Sequence, residues 1–188
     1  MKQTVLSLLA ALASGTTLAA SPTAVDISAG FSFAEYAGSE SVGRGLVDTP
    51  STVFYIDEKV AGGYKSWYLF FDPGTKAQDV LATIRFDQPI AAVLTTKADL
   101  DASNAAYGSN SVVYGTSRFI GLEACSIQHV FCDMVSWAPG GQDLNLDLDA
   151  LDPGDHIRVL VAVPEPAGTL LFAVGLAGLA LALRQRRS

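Results

Sequence analysis

Residues 143–149 read DLNLDLD, and this alternation of leucine with polar residues constrains the chain more than any other feature. Successive side chains of a strand point to opposite faces, so Leu144, Leu146 and Leu148 share one face and turn inward. The same period of two recurs along the chain. FSFAEY at 31–36 and STVFYID at 51–57 carry it, and KSWYLFF at 65–71 ends at the turn signature Asp72-Pro73-Gly74. VLATIRF at 80–86 places Val80, Ala82, Ile84 and Phe86 on one face, Gln88-Pro89 breaks the run, and IAAVLTT resumes it. SRFIGLE at 117–123 and HVFCDMVSW at 129–137 follow, and HIRVLVAV at 156–163 comes last. Eight or nine short strands separated by turn signals predict a mainly β fold, an antiparallel sandwich of jelly-roll or Ig-like type. LDASNAAYG at 100–108 departs from the pattern and predicts one short helix, capped by Asp101 or Ser103 and ended by Gly108.

The two ends follow different rules. Lys2, the apolar run Val5 to Leu12 and the small residues before Ala19 and Ala20 have the order of a secretory signal peptide over 1–20. Cleavage after Ala19 and after Ala20 both remain open. At the other end, 167–183 carries no charge and would span about 25 Å as a helix. A hydrocarbon core is about 30 Å thick, so this is a minimal transmembrane helix. Arg184, Arg186 and Arg187 in the basic tail 184–188 then hold the tip on the cytoplasmic side.

Pro164-Glu165-Pro166 stands immediately before that span. Two prolines keep the backbone extended and remove donors, which leaves the segment open to a processing enzyme. The order VPEP, small residues, a Leu/Gly/Ala-rich span and RQRR resembles the PEP-CTERM sorting signal of Gram-negative bacteria. The resemblance implies that Pro164, Glu165 and Pro166 are recognised by an exosortase, which removes the tail after export, as with other disposable C-terminal signals. The segments IRFDQPIAAVLTTKADLDAS, RFIGLE, LNLDLD and GDHIRV also resemble the ectodomains of some PEP-CTERM proteins of unknown activity. That likeness implies a β-rich domain and transfers no catalytic residue.

Between the two ends, 21–163 has the length of one domain with a core of its own. It carries eight Lys/Arg against 18 Asp/Glu, a formal charge of −10. Such a surface repels nucleic acid. Cys125 and Cys132 form an even pair in an exported domain, and the oxidising compartment favours a disulfide over two buried thiols.

Chemistry is harder to find. His129 and His156 are the only histidines, no GxSxG stretch occurs, and SVGRGLVD at 41–48 lacks the strand-loop-helix context of a nucleotide site and reads as a turn. No cofactor motif stands out. The acids Asp147, Asp149, Asp152 and Asp155, near Asp143, are weak calcium candidates, since calcium gathers several oxygens from such turns. The spacing is not that of an EF-hand, and a solvated strand face with a turn explains it as well. Trp67, Tyr68, Tyr107, Tyr114 and Trp137 would suit a sugar-stacking platform if exposed, or a core if not. The expected function is therefore a non-enzymatic protein of the cell surface or exopolysaccharide matrix. Its expected partners are signal peptidase, exosortase, exopolysaccharide and, before processing, the membrane. The alternative is a carbohydrate-binding module, in one form calcium-assisted.

Overall fold

The computed structural model describes residues 19–115, 117, 119–123 and 132–163. The terminal helices expected at 1–20 and 167–183 lie outside the described residues, apart from Ala19 and Ala20. Among the described residues no helix is long and apolar enough to cross a membrane.

The elements run β1 (Thr23–Ile27), β2 (Ser32–Glu35), β3 (Thr52–Ala61), β4 (Tyr64–Phe71), β5 (Gln78–Arg85), β6 (Ile90–Leu94), α1 (Lys97–Tyr107), β7 (Met134–Trp137), β8 (Asp143–Ala150) and β9 (Asp155–Ala162). They build a four-stranded sheet, β1-β5-β8-β7, and a five-stranded sheet, β2-β3-β4-β9-β6. The alternation in β8 sets the register of the first sheet: Leu144, Leu146 and Leu148 stand opposite Ile84, Ala82 and Val80 of β5. All six are buried, together with Trp67, Leu69 and Phe71 of β4 and Ile157, Val159 and Val161 of β9. One core therefore lies between the apolar faces of two sheets, as the periodicity predicts.

One pairing departs from the antiparallel expectation. β2 runs parallel to β3, with Ser32 opposite Thr52 and Glu35 opposite Tyr55. Parallel neighbours need a connection of about a dozen residues or more, and the stretch between β2 and β3 is long enough to provide it. SVGRGLVD lies in this connection, as a turn. Gly45 has φ +63°, and a Cβ there would fall 1.4 Å from Asp152 Oδ1, so the chain passes closely beneath the β8–β9 turn.

β4 and β9 are buried on both faces, because the outer side of the five-stranded sheet is itself covered. Val42, Ile56, Tyr68, Phe70 and Leu100 of α1 form this second core. Arg158 of β9 lies inside it with a fully buried side chain, ion-paired to the equally buried Glu58. A β-bulge after Asp57 breaks the β3 register at Glu58. The Arg158 Nε and Nη2 donate to the two Glu58 carboxylate oxygens at 2.7 Å each. Its remaining protons reach Leu100 O at 2.9 Å, Asn104 Oδ1 at 2.8 Å and Ser103 Oγ, all on α1. All five guanidinium protons thus have acceptors. Ser66 Oγ and Tyr114 Oη donate to the other lone pairs of Glu58, at 2.5 and 2.6 Å. Burial and the Glu58 charge push the Tyr114 hydroxyl above its ordinary pKa, which keeps it a donor.

Three expected elements are corrected. The helix begins at Lys97 rather than 100. Its N-cap is Thr96, whose Oγ1 accepts from Asp99 N–H at 3.2 Å, while Asp101 and Ser103 lie inside it. Ser103 instead donates back to Asp99 O. The segment expected as a strand at 117–123 contributes none among its described residues, and β7 begins only at Met134. β1 carries no sequence signal because it is an edge strand whose residues are almost all exposed.

Candidate functional site

Turn chemistry assembles an acidic pocket where β8 passes into β9. The turn Leu151–Gly154 is closed by the Gly154 N–H donating to Leu151 O at 2.7 Å. Gly154 has φ +87°, and a Cβ on it would lie 2.3 Å from Phe71 O, so only glycine lets β9 begin against the end of β4. Asp155 is thereby placed opposite Phe71.

Asp133, just before β7, organises the neighbouring segments. Its Oδ1 accepts from the Asp149 N–H at 3.0 Å and its Oδ2 from the Glu123 N–H at 2.8 Å. Its own N–H donates to Glu123 O at 3.2 Å. One carboxylate therefore ties the 119–123 loop to β8. Carboxylate oxygens of Glu123, Asp133 and Asp155 all lie within 4.8 Å of one another. Glu123 and Asp155 line a cavity of about 370 Å³ together with Phe119, Asp149 and Asp152.

Burial makes this cluster electrostatically demanding. Asp155 is 3% exposed and Asp133 8%, and Asp155 Oδ2 is buried without a hydrogen-bond partner. Two charges at that separation repel by about 3 kcal/mol at an effective dielectric near 20. The Asp155 carboxyl is pushed up to about 9, by burial first and then by the charges of Asp133 and Glu123. Burial, then the charges of Asp79, Asp133 and Asp147, also raises Asp149. Burial and the neighbouring charges thus favour the protonated form of the Asp155 carboxyl. All donors at the cluster are oxygens, which suits a hard cation and not a thiolate or imidazole metal.

The sequence candidates divide. Asp149, Asp152 and Asp155 reach the pocket. Asp147 stands on β8 opposite Leu81 and Met134, away from its lining, and Asp143 is held by Arg85 through bonds of 2.7 and 2.8 Å. Sequence reasoning missed Glu123 and Asp133. A signal existed: they flank Cys125 and Cys132, and closing that loop would bring them together. Cys125 lies outside the described residues, so the pairing with Cys132 does too.

The remaining candidates are structural. His129 lies outside the described residues. His156 is fully buried, stacked on Phe70 at 5.5 Å, with Nε2 3.1 Å from Pro153 O, and burial pushes it down to about 4. Trp67 and Tyr68 are 1% exposed, Tyr114 is held by Glu58, and Tyr107 and Trp137 are half-buried. None of these five aromatics is exposed.

Pro164, Glu165, Pro166, Arg184, Arg186 and Arg187 also lie outside the described residues. The last described residue is tied to the domain: the Val163 N–H donates to Gly63 O at 3.0 Å. β9, which leads into the tail, is an inner strand between β4 and β6. Residues 162–187 match the PEP-CTERM protein-sorting motif. The motif implies a bacterial precursor that transits the membrane and is directed to an exosortase. No curated protein and no solved structure matches the chain.

Proposed function

We propose that the chain is a non-enzymatic protein of the cell surface or exopolysaccharide matrix of a Gram-negative bacterium. Residues 1–20 are removed on export. The span 167–183 holds the precursor in the membrane while Pro164-Glu165-Pro166 is presented outside it, and an exosortase then removes the tail. The observation that carries this reading is the sorting motif at 162–187, which begins at the end of the last strand of a folded β domain.

The non-enzymatic part rests on accessibility. A general acid or nucleophile must reach its substrate. Both oxygens of Asp133 already accept from backbone N–H groups, and His156 is fully buried between rings. The carbohydrate-binding alternative is weakened by the burial of the aromatics it would need. Mass spectrometry of the surface-displayed protein tests the sorting reading. A C-terminus near 164–168 is expected, and an intact Arg187-Ser188 end would refute it.

A further inference from the structure

We propose that Glu123, Asp133 and Asp155, with Asp149 at the pocket wall, form a calcium site that locks the 119–123 loop and the start of β7 onto the β8–β9 turn. The inference concerns the domain alone and does not depend on how the tail is processed. Two independent observations support it. The first is the convergence of three carboxylates from three separate segments within 4.8 Å. The second is Asp155 Oδ2, which is buried with no hydrogen-bond partner although its carboxyl belongs to that cluster. A buried oxygen without a donor forfeits the solvation it had in water, and a cation restores it.

The chemistry selects calcium among common cations. Calcium takes six to eight oxygen ligands and tolerates irregular geometry, whereas magnesium demands a near-ideal octahedron and keeps its waters. The backbone bonds of Asp133 fix its carboxylate and leave lone pairs for a metal, since each oxygen has two. The adjoining cavity of about 370 Å³ has room for waters that complete the shell. An exported domain also meets calcium at concentrations where extracellular modules bind, with dissociation constants of about 10⁻⁴–10⁻³ M.

The test uses the full-length chain purified in mild detergent, titrated with calcium chloride by calorimetry and heated with calcium or EDTA. One calcium should bind in that range, and saturation should raise the unfolding midpoint by about 4 °C. Asp155→Asn preserves the shape and allows the amide to donate to Asp133, so it should fold without the ion and lose both responses. Glu123→Gln, at an exposed position, should weaken binding about tenfold. Asp143→Asn, at the remote Arg85 pair, should respond as the parent does. The proposal is overturned if the parent shows no calcium response, if Asp155→Asn keeps it, or if magnesium gives the same shift.

Discussion

Glu58→Ala probes the buried ion pair, and its cost follows from the hydrogen-bond inventory. The substitution removes the acceptors of two Arg158 protons, of Ser66 Oγ and of Tyr114 Oη, all in a region closed to water. Arg158 cannot deprotonate to escape, so a full charge is left without a counter-ion. Breaking such a pair from one side costs about 3–5 kcal/mol, a large share of the 5–15 kcal/mol typical of a domain. With a urea slope of about 2 kcal/mol per molar, the unfolding midpoint should fall by about 2 M in Trp fluorescence. Arg158 also holds Leu100 O, Ser103 and Asn104, so hydrogen exchange in α1 should rise before that of the sheets. The double variant Glu58→Leu with Arg158→Met separates the charge from the packing. It removes both charges and should recover at least about 2 kcal/mol of the loss. A single-variant cost below about 1 kcal/mol, or a double variant equal to the sum of its singles, would refute the reasoning.

Four further outcomes are expected. Glu165→Ala should accumulate membrane-bound precursor, read by immunoblot of membrane and surface fractions; normal processing would count against recognition of this motif. Thiol labelling of the exported protein without reductant should modify neither Cys125 nor Cys132, whose short loop is worth about 2–3 kcal/mol when bridged; two labelled thiols would defeat the pairing. His156, pushed down to about 4 from 6.5, is neutral when folded, so its contribution is intact above pH 6.5. It erodes by about 3 kcal/mol as the pH falls towards 4, because the unfolded chain takes up the proton first, and His156→Gln should flatten that part of the stability profile. Gly154→Ala should cost at least about 1–3 kcal/mol in urea unfolding, since φ is +87° and the Cβ would meet Phe71 O; a neutral effect would mean the turn can move.

Much of the fold was legible because a half-buried strand writes its orientation into the chain. The leucines of β8 and the alternate residues of β5 declared their inner face before any partner was known. The address at the C-terminus was legible for a similar reason. The sorting motif at 162–187 is a linear order of residues that is read without any fold. β4 and β9 were also recognisable as strands, yet their burial on both faces was not, because it depends on α1 and the long connections lying over the outer side.

The site was legible only in part. Asp149, Asp152 and Asp155 come from one local stretch, so their proximity could be read from a turn. Glu123 and Asp133 join them through hydrogen bonds between loops that have no periodicity of their own. Arg158 and Glu58 are 100 residues apart, and nothing in either segment names the other. Local propensity, periodicity and the linear order of a sorting motif act within a few residues, so the sequence by itself determined most of the strands, the core faces and the sorting motif. The parallel β2–β3 pair, the clamp on α1 and the carboxylate cluster were decided by which distant segments share the same desolvated space, and only the tertiary structure holds that information.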